Sequence, residues 1–170
     1  LVVLVLVQPS ATKEIDHAKK YQDCIVLSKI APEEAFGSAL AWRDFGGGEA
    51  AEHCVAASLV ALEQFAEAAT RLEALAQRTN RASSIKASLL GHAAQAWLLD
   101  DKPERAETVL TAALKLAPDQ PDLFVDRAQA RAGRNDYASA IEDLNRAIDI
   151  QGGSADAFAY RATAQRYLKQ

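Results

Sequence analysis

Residues 121–150, PDLFVDRAQARAGRNDYASAIEDLNRAIDI, decide the fold. Apolar and small residues recur here every three or four positions, the spacing of an amphipathic helix rather than of a strand. Phe124 and Ala128 fall in a predicted helix over 121–133. Tyr137, Ala140, Ile141, Leu144, Ala147 and Ile150 fall in a second over 137–150.

The same pattern returns at a fixed step. Ala94, Ala128 and Ala162 stand 34 residues apart, and Ala106 with Ala140, Leu110 with Leu144, Ala113 with Ala147 and Leu116 with Ile150 keep that interval. An earlier copy places Ala56, Ala68, Leu72 and Leu75 in phase after a step of 38, as if four residues were inserted in the loop around 78–84. Nine helices are predicted, over 14–30, 33–45, 49–62, 65–77, 82–99, 103–116, 121–133, 137–150 and 155–168. Pro32, Pro103, Pro118, Pro121 and the Gly46–Gly48 and Gly152–Gly153 runs punctuate them. A small residue inside each helix lets its neighbour approach, and an apolar residue one turn away fills the gap. Two helices alone cannot cover both faces, so successive pairs must stack into a curved rod, with the first helix of each pair on the inner side.

At these residues the chain resembles the tetratricopeptide repeat (TPR) family. Residues 121–150 carry the fullest match; the copy before matches through Leu90, Ala94, Trp97, Ala106, Leu110, Ala113 and Pro118, and the one before that through Ala56, Leu59, Phe65, Ala68, Leu72 and Leu75. The departures are specific: Arg127 and Arg161 stand where the family usually has leucine, Arg131 takes a frequent tyrosine position, Pro103 replaces an aromatic, and Glu52 replaces the aromatic opening its helix. The resemblance implies an all-α, right-handed superhelical array of antiparallel helix pairs, the TPR α-solenoid. Its units run 49–86, 87–120 and 121–154, with a degenerate repeat and N-terminal helices over 14–48 and a capping helix over 155–170. A bacterial scaffold protein is the expectation.

The resemblance also implies a non-catalytic scaffold or adaptor whose concave face holds a peptide or partner protein. Its inward positions fall on His53, Ala57 and Val60, then Ser88, Gly91, Gln95 and Leu98, then Asp122, Val125, Gln129 and Ala132, and finally Asp156, Ala159, Thr163 and Arg166. This set is small, apolar and mildly polar, suited to an extended or helical polypeptide. The lysine, arginine and asparagine clamp with which some members grip a C-terminal carboxylate is missing, since Gln95, Gln129, Asp122 and Val125 occupy its places. Two alternatives stay open: a self-associating module whose groove or helix ends pack on another subunit, and a metal- or thiol-dependent enzyme.

Composition narrows the classes. The 170 residues carry 19 basic and 23 acidic side chains, a net charge of −4, which argues against a basic nucleic-acid stripe. Alanine supplies 36 residues and aromatics only 6%, favouring close-packed helices over a sandwich or barrel. His17, His53 and His92 show no metal spacing, and no cofactor is expected. The Gly46–Gly48 run lacks the lysine and hydroxyl of a phosphate loop and reads as a turn between helices. Cys24 and Cys54 read as two buried thiols; a separation of 30 residues does not establish contact.

Arg127, Arg131 and Arg161 are expected in ion pairs with Asp126, Glu142, Asp143 or Asp149 rather than on a ligand. Trp42, Trp97, Phe65, Phe124, Tyr137 and Phe158 are expected in the core, whereas Tyr167, near the end of the last helix, is a candidate exposed contact. The opening LVVLVLV is too short to span a bilayer and reads either as the remnant of a signal peptide or as an extended arm over residues 1–13. A remnant over 1–11 would place the protein in the periplasm or outside the cell, its absence in the cytoplasm.

Overall fold

The computed structural model describes residues 16–169, so both readings of the LVVLVLV segment lie outside the described residues. Among the described residues nine α-helices follow one another: α1 (His17–Ile30), α2 (Pro32–Trp42), α3 (Gly48–Ala61), α4 (Phe65–Arg78), α5 (Ser83–Leu99), α6 (Pro103–Leu116), α7 (Pro121–Gly133), α8 (Tyr137–Gln151) and α9 (Ala155–Leu168). Each packs antiparallel on the next, and α1 on α3, α5 on α7 and α7 on α9 bring the first helices of successive pairs together. The result is the superhelical solenoid that the repeat demands. Among the described residues no helix is long and apolar enough to cross a membrane.

The repeat is written into the backbone as well as the side chains. Glu63, Asp101 and Asn135 each adopt a positive φ, at 59°, 54° and 61°, in the three-residue turn that joins the two helices of a pair. In each copy the following N–H donates to a carbonyl five residues back: Gln64 to Leu59, Lys102 to Trp97 and Asp136 to Arg131, all at 2.9 Å. One turn geometry therefore closes three helix pairs, holding their helices at a common angle. The 38-residue step has a different origin from the one expected. The connections Thr79–Ala82 and Ala117–Gln120 are equally long, while α5 has 17 residues against 13 in α7. The four extra residues form an added helical turn at the start of α5, not a longer loop.

Most of the in-phase residues fill the interior, although Leu116 stands 38% exposed and its counterpart Ile150 is only partly buried. Ala56, Ala68, Leu72, Leu75, Ala94, Ala106, Leu110 and Ala113 join one apolar core running from Cys24 to Ala130, and Ala128, Ala140, Leu144, Ala147 and Ala157 form its continuation under α9. Ala162 departs from its buried counterparts Ala94 and Ala128: it lies exposed on α9. Trp42 and Trp97 are buried, as their apolar neighbours suggested, each with its indole N–H satisfied, by His17 Nδ1 at 3.1 Å and Glu73 at 2.6 Å. Phe158 corrects the expectation of a core side chain, because it stands 45% exposed on α9, the helix that also exposes Tyr160, Tyr167 and Leu168.

The glycine run makes the expected turn. A wide helical turn over Arg43–Gly47 follows α2, and Gly46 turns the chain with φ of 88°. Gly47 is buried so tightly that a Cβ there would lie 2.7 Å from both Trp42 and Ala51.

Cys24 and Cys54 are not two separate thiols. They are bonded as a disulfide, with Cα atoms 6.2 Å apart, tying α1 to α3. Stacking puts α1 beside α3, and that proximity is set by tertiary packing rather than by sequence distance.

Candidate functional site

The first helices α1, α3 and α5 line a concave groove with two adjoining cavities of about 500 Å³ each. Tyr21, His53 and His92, one from each helix, line both cavities and stand between them. Tyr21 Oη lies 2.9 Å from His53 Nδ1, and His53 Nε2 lies 3.2 Å from His92 Nδ1. The row is self-consistent when the phenol donates to His53 and neutral His53 donates onward to His92. Burial, and then the neighbouring His92, push the His53 pKa down to about 4. Burial also lowers that of His92 and raises that of Tyr21. The row is therefore uncharged at neutral pH.

Further along, Gln95 on α5 donates to the Asp126 carboxylate on α7 at 3.0 Å. Burial is the main reason that the Asp126 pKa rises to about 6; the Gln95 bond opposes it and the Asp122 charge adds to it. Asp126 thus bonds the groove residue Gln95 instead of neutralising an arginine, and of the four expected carboxylate partners only Asp143 meets Arg127 and Arg131.

The inward positions divide into three groups. His53 and Ser88 line one central cavity, and His53, Ala57, Val60 and Gln95 the other. Gln129, Ala132 and Thr163 line a smaller hollow of about 290 Å³ between α7, α8 and α9, beside Tyr137 and Tyr167, whose rings stack at 5.2 Å. Gly91 and Val125 are buried instead; a Cβ on Gly91 would lie 3.0 Å from Leu123. Leu98 is half-buried, while Asp122, Asp156, Ala159 and Arg166 are exposed, outside these cavities.

Three groove residues were absent from the expected set: Tyr21, His92 and Asp126. His92 and Asp126 stand 34 residues apart, each one position after an assigned inward site, so the repeat step itself carried their signal. Tyr21 belongs to the helix with the weakest repeat match and had no such mark. The hydrogen-bond partners of His53 are a phenol and another imidazole. The disulfide joins both thiols, so neither is a nucleophile. Among the described residues no group of three or more His, Cys, Asp or Glu side chains is placed to hold a metal.

The arginines behave as structural cations. Arg127 forks onto Asp143 with bonds of 2.9 and 2.7 Å, and Arg131 reaches the same carboxylate at 2.9 Å and Glu107 at 3.0 Å. Arg134 also pairs with Glu107. Asp143 is the expected partner; Glu107, on the preceding helix pair, is the one missed. The bond to Asp143 raises the Arg127 pKa against the effect of burial. At Glu107 burial acts upward, but the hydrogen bonds from Arg131 and Arg134 prevail and lower its pKa. Arg161 bonds Asn145 at 2.9 Å and covers Phe158 rather than meeting a carboxylate.

Three copies of one helix pair, closed by one turn and stacked along a shared groove, coincide with a match of residues 95–165 to the tetratricopeptide repeat family. Over these residues the chain is similar to tetratricopeptide repeat proteins. A curated relative, the SGT1 homolog of Oryza sativa subsp. japonica, is 33% identical over 82 residues, covering 48% of this chain and 22% of that protein. Tetratricopeptide repeat protein 36 of Mus musculus is 44% identical over 57 residues, covering 34% of this chain and 28% of that one. The chain thus spans less than a third of the length of either relative. Among solved structures, MamA 41-end from Desulfovibrio magneticus RS-1 superposes with a TM-score of 0.65 at 19% identity, over 91% of this chain and 93% of that one. A Podosopora anserina protein described as a kinesin light chain of nearly identical TPR-like repeats gives 0.66 at 16% identity, over 92% and 95%. These likenesses concern the TPR fold, and their spread over plant, animal, fungal and bacterial sources ties it to no single lineage.

Proposed function

We propose that this TPR solenoid is a non-catalytic scaffold that holds an extended or helical segment of a partner protein along its concave face. The observation that carries the reading is the pair of adjoining cavities between α1, α3 and α5, walled by Ala57, Val60, Ile25 and Leu99 and crossed by the uncharged Tyr21–His53–His92 row. Small and apolar walls admit side chains, while Gln95 and the outer ring nitrogen of His92 offer hydrogen bonds to a peptide backbone. The TPR fold and its relatives support the same role.

The test is selection of binders from a random peptide display library, followed by titration of the recovered peptide against the parent and against Ala57→Glu, Gln95→Ala and Gln129→Ala. Ala57→Glu places a charge in the cavity and is expected to weaken binding about tenfold or more, on the order of one interface hot spot. Affinity unchanged in all three variants overturns the reading.

Self-association is a second reading, favoured by the half-exposed Phe158, Tyr160, Tyr167 and Leu168 on α9. Sedimentation equilibrium over a concentration series decides it: a mass that rises with concentration and falls back in Phe158→Ser supports it, and a constant monomer mass refutes it.

A further inference from the structure

We propose that the Cys24–Cys54 disulfide is a redox-released latch that holds α1 in place as one wall of the concave groove. The inference rests on the groove being the working face, but its first test does not. Three observations place the latch.

First, apart from the disulfide α1 is held by few side chains, chiefly Tyr21 against His53 and His17 against Trp42. It packs on α2 and α3, it buries only Cys24 and Ser28, and Val26 and Ile30 stand 58% and 76% exposed. Helices α4 to α8, by contrast, sink leucines and alanines into a continuous core. Second, α1 is built to swing. A single residue, Ala31, separates it from α2, with φ −142° and ψ 74°, and Pro32 follows with no N–H to continue the helix. Third, α1 occupies the groove: its Tyr21 lines both cavities, with Ile25, Ser28 and Lys29 lining one and His17 and Ala18 the other. Moving α1 away removes one wall of each cavity and uncovers the face of α3 that carries His53, Ala57 and Val60.

The chemistry is a thiol–disulfide exchange with a small dithiol as reductant. One thiolate of the dithiol attacks Cys24 Sγ, the more accessible sulfur at 7% residue exposure against none for Cys54. The Sγ–Sγ bond breaks and Cys54 leaves as a thiolate. The second dithiol sulfur then closes on the first, releasing Cys24. Two electrons and two protons pass to the protein, which ends with two thiols, and the reductant ends as a cyclic disulfide. Only the local linkage between α1 and α3 changes.

The experiment is amide hydrogen exchange read by mass spectrometry on the oxidised protein and on the same protein held in excess dithiothreitol, with Cys24→Ser alongside. Reduction is expected to accelerate exchange over 17–30 on the order of 100-fold, the loop-closure advantage that the cross-link supplies, while α5 to α8 keep their protection. Cys24→Ser should match the reduced pattern whether or not the dithiol is present. Equal protection of α1 in both states overturns the proposal. So does a bond that resists the dithiol in native buffer, and so does a loss of protection spread evenly over all nine helices, because the bond is then a global staple. With a groove-binding peptide in hand, a changed affinity on reduction extends the latch to ligand control, whereas failure to find any peptide leaves the exchange result standing by itself.

Discussion

Replacing Asp126 with asparagine is expected to expose a pH dependence that the parent protein conceals. Two groove residues carry opposite proton ledgers. His53 has its pKa lowered from 6.5 to about 4, so below pH 6.5 the unfolded chain binds a proton that the folded one refuses, and stability falls as pH drops through that window. Asp126 has its pKa raised from 3.8 to about 6, so between those values the folded protein keeps a proton that the unfolded chain has lost, and stability rises as pH drops. At about 1.4 kcal/mol per pH unit each displacement corresponds to about 3 kcal/mol. Solvent reaches both partly buried side chains, and screening reduces this to about 1.5–2 kcal/mol apiece. The two effects nearly cancel from pH 6 down to pH 4. Asparagine keeps an oxygen to accept from Gln95 and removes the titration. The variant should therefore be about 1.5–2 kcal/mol more stable than the parent near pH 7, and that advantage should vanish near pH 4. Urea denaturation followed by the fluorescence of Trp42 and Trp97 across this range measures it. Subtracting the two profiles cancels Glu107 and Asp136, whose lowered pKa values act alike in both proteins. Parallel profiles, with a constant offset between parent and variant, refute the assignment of Asp126 as a carboxyl held protonated in the fold.

Asp143→Ala should destabilise the pairs around α6, α7 and α8. Removing one partner of a buried ion pair costs about 3–5 kcal/mol, but Arg127 keeps Thr111 and Arg131 keeps Glu107, so about 2–3 kcal/mol is expected from denaturant titration, with Asp143→Asn costing less. Gly47→Ala should cost about 1–3 kcal/mol through overpacking against Trp42 and Ala51, whereas Gly37→Ala, with open space around its Cβ, should leave the unfolding midpoint unchanged or raised.

The positions that sequence made legible are those the repeat states more than once. Ala106 with Ala140 and Leu110 with Leu144 appear twice at one interval, and all four are buried in the structure. The helix limits followed from the same signal, helped by Pro103 and Pro121 at first positions, where a missing N–H costs nothing. The misplaced insertion shows the limit of interval counting: a step of 38 tells how many residues were added, but a helix can absorb a full turn of four as readily as a loop can. The disulfide was illegible for a related reason. Cys24 lies in the helix with the poorest repeat match, so nothing in its spacing placed it against Cys54. Glu107 was missed because Arg131 and Arg134 reach across to the preceding helix pair, whereas the expected partners lay on α7 itself or on the following helix, where Asp143 stands. Phe158 was misplaced because a helical periodicity predicts which side chains share a face and not whether a neighbour covers it.

The departures at Arg127 and Arg131 bear on how the solenoid keeps its register. A leucine at the first of those places would supply only non-directional burial, which tolerates sliding of one helix along another. The two guanidiniums instead converge on Asp143 from α7, and Arg131 extends to Glu107 on α6. Fork geometry is directional, so a shift of α8 by one residue would strand a buried carboxylate. At the other end the covalent link between Cys24 and Cys54 fixes α1 on α3. The groove thus lies between two differently fastened ends. The charged fastening holds regardless of redox conditions and weakens when Glu107, whose pKa the arginines lower, is protonated, whereas the sulfur fastening is indifferent to acid and yields to a dithiol. Acid and reductant should accordingly loosen opposite ends of the same concave face.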